Sequence, residues 1–436
     1  MTLRQARRRS VLYREKFQGI RIDSGFGLAD LGQLPLVEKS ELHAHEYEWA
    51  SGPGVCAIQN TSGSTGTPLF IYRTAEEYRF LQEFFSRANG SLKEKAPISL
   101  HLTIPQHGSP TPIPGPLFTL QAAAHTNKLL SYAVSLLLKR FEVPALDHQV
   151  SVLAGDHNSI LLLTQYAREN PELADQIRLK AACLTGRQLT ARWRALIAST
   201  FGCLVVDRFT LSEVLGGATS CADCGGYHFD PQVVPEIVED PRKSSNPVRF
   251  GTGYLVLTSL APFVANQPFI RYRTGDLFRA EATACREISY FPLGRATQSL
   301  LSTHLGLSDR PEVLLPMRDL VDAVDVIEDI ERPPCFADVS LVRDKTNIGL
   351  PLMRGEVEQI DRCIVVRIRI ALRTGRTGTL DPWNVPEDST LSTLARLLVS
   401  RIGSFEGVRP EIVLSHREEL ETVEKSSTFW IDSPQK

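Results

Sequence analysis

Apolar positions along the chain recur in two rhythms. "TAEEYRFLQEFFSRANG" carries Tyr78, Leu81, Phe84 and Phe85 at helical spacing. Thr74 stands before it as an N-cap with Glu77 three residues on, which is a capping box. "QVSVLAG", "LKAACLTG" and "CLVVDRF" are instead short, continuous apolar runs, as buried strands are. Between them, "NSILLLTQYAREN" and "TARWRALIASTFG" are long enough for helices. This β-α-β-α-β order predicts a largely parallel sheet covered by helices. "VCAIQN" reads as an earlier short strand. "FGLADLGQLPLVEKSEL" reads as a short helix, a Pro stop and a second helix start. "GYLVLTSL" and "FIRYRTGDLF" predict a more β-rich stretch. Beyond "PLGRATQSL" the composition changes: "CIVVRIRIAL" is a strand of alternating charge, and "TLSTLARLLVSRIGSF" an amphipathic helix with Thr390 near its start. A boundary is expected at Gly294–Arg295, with a smaller α+β domain after it.

The 436 residues suffice for about two or three domains. The chain shows no low-complexity tract and no internal repeat. A net charge of −2 argues against nucleic acid as the main partner. Runs such as "LLSYAVSLLL" are too short to span a bilayer. The basic N-terminus lacks an apolar signal core and a small-residue cleavage site. It reads as an amphipathic first helix with Val11, Leu12 and Phe17 facing inward, a transit peptide being the alternative. Eight cysteines in a chain of this length do not suggest a secreted disulfide framework. A soluble cytoplasmic protein is expected.

Three stretches carry candidate chemistry. "NTSGSTGTPLF" (Asn60–Phe70) is rich in Ser, Thr and Gly, so backbone N–H groups and hydroxyls can converge on a phosphate. It is neither a Walker loop, lacking Gly-Lys-Ser/Thr, nor a nucleophile elbow, lacking Gly-x-Ser-x-Gly. A Ser/Gly-rich linker has the same composition. In "VVDRFTLSEV" a strand ends in an aromatic, a hydroxyl and a carboxylate, at the strand end where open α/β sheets bind ligands. Phe209 there could stack on a base and Glu213 could hold magnesium. In "FIRYRTGDLF", Asp276 follows a glycine beside an apolar strand, where a lone Asp would usually be a turn residue. In "CADCGGYHF", Cys221, Cys224 and His228 have zinc-like spacing, with free surface thiols as the plain alternative. "HAHEYEW" (His43–Trp49) reads as a polar loop. Phe118, Tyr132 and Trp193 could line the acid pocket, with core packing the expected role for any one of them.

"TSGSTGTP", "FTLSEV", "IRYRTGDL" and the Gly-Arg boundary together resemble the adenylate-forming ligase superfamily, and within it the phenylacetate–coenzyme A ligase branch. "LADLGQLPLVEKSEL" resembles that branch's segment before the loop. The resemblance implies an α/β fold, with a large N-terminal domain over 1–294 and a smaller mobile α+β domain over 295–436. It implies adenylation of a carboxylic acid, expected to be aromatic, with release of pyrophosphate and transfer to coenzyme A or another thiol. Thr61, Ser62, Gly63, Ser64, Thr65, Gly66 and Thr67 would cradle the leaving phosphates. Glu213 would bind Mg²⁺, Phe209 would stack on adenine, and Asp276 would accept from the ribose hydroxyls. Arg295 would hold ribose or phosphate. Gly186, in "TGRQLT", with Asp207, Thr210 and Ser212, would complete the nucleotide site. Lys425, in "LETVEKSSTFWID", matches the family's terminal catalytic lysine, although Glu424 replaces the usual Gly. Cys285 falls where relatives carry a cysteine and is the candidate fourth zinc ligand in a closed, structural site.

Leu69 stands where the family commonly ends its phosphate loop with lysine, and Thr210 where it has Gly. Ala296-Thr297 replaces the acidic hinge residue. "LLSTHLGLSDRP" lacks the glycines that face coenzyme A in relatives, and the acyl-pocket region is rich in Pro. These departures leave other acceptors open: a carrier-protein thiol, an amine, or nitrite. Amide or N–N bond formation is therefore the second reading. A degenerate nucleotide-binding homologue is the third, and the presence of Glu213 and Asp276 counts against it. Oligomeric state stays open, a homodimer included.

Overall fold

The computed structural model describes residues 2–61, 67–80, 83, 95–103, 118–214, 216–240, 242, 246–332, 336, 338–421, 431 and 432. β1 (Val55–Asn60) and β2 (Phe70–Thr74) form an antiparallel hairpin with Asn60 opposite Phe70. Then come β3 (Ala96–Leu102), β4 (Phe118–Ala122), β5 (Leu146–Asp156), β6 (Ala181–Thr185) and β7 (Leu204–Thr210). After these come β8 (Gly217–Ser220), β9 (Tyr227–Phe229), β10 (Val233–Val238), β11 (Gly251–Ser259), β12 (Tyr272–Glu281) and β13 (Ser289–Arg295). Among the described residues, β3–β13 form one eleven-stranded sheet in the order β10-β11-β12-β13-β9-β8-β7-β6-β5-β3-β4. Its β4-β3-β5-β6-β7 half is parallel, and every pairing from β7–β8 to β10–β11 is antiparallel.

The parallel half follows the predicted rhythm. Helices His157–Glu169 and Ala191–Phe201 connect β5 to β6 and β6 to β7. Each has a side-chain cap: Asp156 accepts from Ser159 N–H and Thr190 from Trp193 N–H. Leu100, Leu102, Leu153, Ala182, Leu184 and Val205 are buried with Ile160–Leu163, Trp193 and Ile197 in the largest core. That core runs on into Leu320, Val324, Val366, Ile368, Leu398 and Leu414. The later strands are β14 (Leu300–Leu301), β15 (Val313–Leu315), β16 (Met353–Ile360), β17 (Cys363–Ala371), β18 (Gly378–Leu380), β19 (Val408–Ser415) and β20 (Ile431–Asp432). Five of them form a sheet in the order β18-β19-β17-β16-β20.

Several expectations need correction. The first helix is two helices, Thr2–Arg9 and Val11–Lys16, because the Ser10 hydroxyl accepts from Tyr13 N–H and starts a new one. Leu12, Tyr13 and Phe17 are buried, whereas Val11 is half-buried. "HAHEYEW" is not a loop. It lies in the helices Lys39–Ala44 and Glu46–Ala50, with Trp49 buried and His45 2.7 Å from Glu48. Phe118 and Tyr132 are exposed, and only Trp193 of that trio is core. Asp276 lies inside β12, not in a turn after a strand. No helix is long and apolar enough among the described residues to cross a membrane.

Candidate active site and cysteine–histidine cluster

The hairpin fixes the two ends of the Ser/Thr/Gly loop. Thr61 N–H donates to Leu69 O at 3.0 Å, and Leu69 N–H donates to Thr61 Oγ1 at 2.9 Å. Thr61 and Leu69 are buried, and Thr67 is exposed. Ser62, Gly63, Ser64, Thr65 and Gly66 lie outside the described residues. On β2, fully buried Arg73 donates from Nη2 to the carbonyl oxygens of Ser212 (3.1 Å) and Glu213 (3.0 Å). Burial lowers its pKa, opposed chiefly by Glu77. Glu77 completes the predicted capping box with Thr74 and also accepts from Asn266 N–H at 2.8 Å. So one buried guanidinium joins the loop hairpin to the segment that presents Glu213.

Glu213 is itself buried, and Tyr272 donates its hydroxyl to Glu213 Oε1 at 2.9 Å. Burial, then the neighbouring carboxylate, raises the Tyr272 pKa, so the phenol stays a donor. Tyr272 begins β12, and four residues on lies Asp276, directly opposite Arg295 of β13. Arg295 Nε is 3.0 Å from Asp276 Oδ1, and its Nη1 donates to Thr274 O at 2.9 Å. Gly275 between them has φ +81, and a Cβ there would stand 3.2 Å from Arg295 Nη1. The glycine of "TGD" is thus favoured by its backbone conformation, and the guanidinium packs close against it. Asp276 Oδ2 is buried without a partner. Such an orphan acceptor fits a hydroxyl-bearing ligand, because an unsatisfied buried acceptor is costly. Burial pushes the Asp276 pKa up to about 6, although Arg295 and Thr274 pull it down.

At the ends of the parallel strands, Asp156 of β5 lies opposite Thr185 of β6. The Thr185 and Thr210 hydroxyls meet at 2.7 Å. Gly186 follows at φ +96. Buried His157 secures this turn, its Nδ1 2.9 Å from Thr185 O and 3.2 Å from Arg187 N. Asp207 is buried, 3.4 Å from His157 Nε2, and accepts from Tyr227 Oη. Phe209 is half-buried and edge-on to Phe278, with centroids 5.0 Å apart. Ser212 is exposed and contributes its carbonyl to Arg73. Lys425 lies outside the described residues. Arg73, Tyr272, His157 and Thr185 were not singled out from sequence. Tyr272 and Thr185 stood inside quoted motifs without a role, and Arg73 and His157 carried no local signal.

The zinc-spaced residues do come together. The ligand atoms of Cys221, Cys224, His228 and Cys285 all lie within 4.8 Å of one another. Cys221 N–H donates to Gly226 O, and Gly225 at φ +68 returns its N–H to Cys221 O, which closes the knuckle. Cys221 and Cys285 sulfurs are 3.9 Å apart, and Cys224 Sγ is 3.6 Å from His228 Nε2. Zn–S bonds of about 2.3 Å and Zn–N bonds of about 2.0–2.1 Å make tetrahedral S···S edges of about 3.8 Å and S···N edges of about 3.6 Å. The donor set and its spacing fit zinc.

Solved structures share this architecture. An open conformation of 2-hydroxyisobutyryl-CoA ligase, in complex with 2-HIB-AMP and CoA, matches with TM-score 0.66 at 15% identity, over 99% of this chain and 89% of the other. This is the adenylate-forming ligase fold. ATP-bound MatB from Rhodopseudomonas palustris matches with TM-score 0.54 at 14% identity, over 87% of this chain and 66% of that one. The anthranilate CoA ligase AuaEII, in complex with anthranoyl-AMP, matches with TM-score 0.51 at 12% identity, over 83% and 63%. No family model matches the chain, and the comparison with curated proteins also finds no match. At these identities the likeness to an adenylate-forming ligase is a likeness of fold.

Proposed function

We propose that this chain is an ATP-dependent, AMP-forming acid ligase. It adenylates a carboxylic acid, releases pyrophosphate, and passes the acyl group to coenzyme A or another thiol. The observation that carries this reading is the pair of buried carboxylates, Glu213 and Asp276, each held by a partner from β12 or β13 and tied through Arg73 to the phosphate-loop hairpin. In the reaction, the acid's carboxylate attacks the α-phosphorus of ATP, and the bond to pyrophosphate breaks. This displacement needs positioning and charge stabilisation more than covalent help from the protein. The loop 61–67 cradles the leaving phosphates. Glu213, oriented by Tyr272, holds Mg²⁺, which when bound neutralises phosphate charge. Asp276 Oδ2 accepts from the ribose, and Arg295 holds Asp276 in place. Phe209 lines the adenine, with Gly186, Thr210 and Ser212 nearby. Residues 295–436 form the smaller domain, and Lys425 on it stabilises charge in the transition state. Cys221, Cys224, His228 and Cys285 hold a structural zinc with no open position.

The test is pyrophosphate release from the purified chain with ATP and Mg²⁺ over a panel of aryl, alkyl and hydroxy acids. Each acid is run alone, with coenzyme A, with amines and with nitrite. Release with one acid that rises with coenzyme A, and that Lys425→Ala abolishes, is the expected result. Release that rises only with a nitrogen nucleophile would replace the thiol acceptor. ATP binding without release for any acid would favour a non-catalytic homologue. For the metal, about one zinc per chain is expected by atomic absorption, falling to a small fraction in Cys224→Ser. Metal-free wild-type protein would reject the zinc site.

A further inference from the structure

The two N-terminal helices carry a charge that the proposed reaction does not use. Arg4, Arg7, Arg8, Arg9 and Arg14 follow one another with no acid between them, in a chain whose net charge is −2. All are exposed, and none has a carboxylate within ion-pair distance among the described residues. The neighbouring cations do have one: Lys16 pairs with Glu41 at 2.6 Å and Arg21 with Asp23 at 2.9 Å. Helix spacing sorts the unpaired arginines. Leu3 and Ala6 pack into the core with Leu12, Tyr13 and Phe17. Arg4, Arg7 and Arg8, at i, i+3 and i+4, therefore share the outward face of Thr2–Arg9. Ser10 caps the second helix, which adds Arg14. Arg4, Arg7, Arg8 and Arg14, with Ile22, line one open concavity of about 480 Å³, within the range of small-ligand sites. Arg9 is not part of its lining.

Stability of the fold does not account for this cluster. Like charges three and four residues apart destabilise a helix. The helix dipole favours Arg7, Arg8 and Arg9 in the last turn but opposes Arg4 in the first turn, which holds no acid. A lipid surface does not account for it either, because the apolar face of the first helix is already buried within the protein. Four guanidinium forks that converge from two helices suit a compact polyanion, since each can take a phosphate edge. We propose that this concavity is an anion site, separate from Glu213 and Asp276, for a compact ligand bearing two or more phosphate groups. The ligand is a free oligophosphate or the phosphate tail of a nucleotide. The site uses no residue of the ATP reading and does not rest on it.

The experiment is calorimetric titration of the full chain, without Mg²⁺ and at low ionic strength, with tripolyphosphate, orthophosphate, citrate and ATP. Wild type is compared with Arg8→Gln, Arg14→Gln, their double variant and Arg9→Gln. Tripolyphosphate should bind wild type about tenfold or more tightly than orthophosphate or citrate. Arg8→Gln and Arg14→Gln should each weaken it about threefold to tenfold, and the double variant further. Arg9→Gln removes the same charge outside the concavity and should change it less than about twofold, because exposed charges are screened. These side chains are exposed, so the variants should keep the wild-type fold by circular dichroism. ATP bound more tightly than tripolyphosphate, and lost in the double variant, would make the nucleotide the source; the reverse order would make it the free oligophosphate. Equal losses in Arg8→Gln and Arg9→Gln would overturn the site, since they would mark diffuse charge. So would citrate bound as tightly as tripolyphosphate, binding that the double variant leaves unchanged, or no binding to wild type. Duplex DNA or phosphatidylserine vesicles that displace tripolyphosphate at a lower phosphate concentration would overturn it too, by marking an extended surface. Pyrophosphate release tests the ATP reading separately from all of these.

Discussion

In the parallel half of the large sheet, β3 and β5–β7 bury Leu100, Leu102, Leu153, Ala182, Leu184 and Val205 on one face. In the antiparallel half, β10 and the lead into β12 bury an ion pair: Arg271 Nε stands 3.2 Å from Glu236 Oε2, both side chains almost fully enclosed. Arg271 also donates to the carbonyl oxygens of Gly32 and Leu34, which pins the N-terminal segment to the sheet. In the parallel half, Lys180 with Asp147 at 3.1 Å leaves the lysine more than half exposed, and the enclosed pair is His157 with Asp207 at 3.4 Å. The parallel half is thus closed mainly by apolar burial, with no arginine–carboxylate pair enclosed among the strands named above. The other is closed by charges that each need a specific partner, and the buried carboxylates of the candidate site, Glu213 and Asp276, lie on that side. A site that must hold buried carboxylates is built most readily where antiparallel register sets a guanidinium opposite, as β13 sets Arg295 opposite Asp276.

The largest expected effect tests the buried pair. Glu236→Ala leaves a fully enclosed guanidinium without its anion and should cost about 3–5 kcal/mol in urea unfolding. Asp147→Ala, in the parallel half, should cost about 0–1 kcal/mol, because its partner is solvated. Equal losses would erase the contrast between the halves.

A smaller effect, and one that depends on pH, comes from Asp276. Its folded pKa is about 6 against an ordinary 3.8. The folded protein therefore binds this proton more tightly than the unfolded chain does. The carboxyl contributes stability below pH 3.8 that is lost as pH rises through 6, on the order of 3 kcal/mol in full. Asp276→Asn cannot ionise. Relative to wild type it should gain melting temperature at pH 8 but not at pH 3.5. ATP affinity should move the other way, falling in the variant at pH 8 and in wild type as pH drops below 6, because the ribose hydroxyls lose an anionic acceptor. A variant less stable than wild type at pH 8 would show that the ion pair with Arg295 outweighs the burial of the charge.

The same contrast explains what could be read from sequence. Apolar period and length located β5, β6, β7 and their two helices, because burial by covering layers leaves continuous apolar runs. The Thr74–Glu77 capping box was legible because it is local. The four side chains named from a spacing and a resemblance, Cys221, Cys224, His228 and Cys285, lie together in the structure. The role of Arg73 was not legible, since its partners, Ser212 and Glu213, lie about 140 residues away. Nor was the orientation of Asp207. One residue before Arg208 on β7, it meets His157 and Tyr227, a matter of strand parity that the motif does not carry. Phe118 and Tyr132 were misread because an aromatic residue in an apolar run can still fall on the solvent side.

The smallest effect probes a hydroxyl pair at the ends of the parallel strands. The Thr185 and Thr210 hydroxyls meet at 2.7 Å at a partly exposed edge. Thr185→Val keeps the β-branched shape and the fit on β6 but removes one partner. A net hydrogen bond of this kind contributes about 0.5–1.5 kcal/mol, and water can reach the hydroxyl left behind on exposed Thr210. The expected stability loss is therefore at the low end, about 0.5 kcal/mol. If the edge faces ligand, the loss should be seen instead in nucleotide or acid binding, as a change of a few fold. A stability loss above about 2 kcal/mol would mean that this hydroxyl pair ties β6 to β7 as firmly as the ion pair ties Arg271 to Glu236. Polar specificity would then hold both halves of the sheet, and the location of the charged site in the antiparallel half would need another cause.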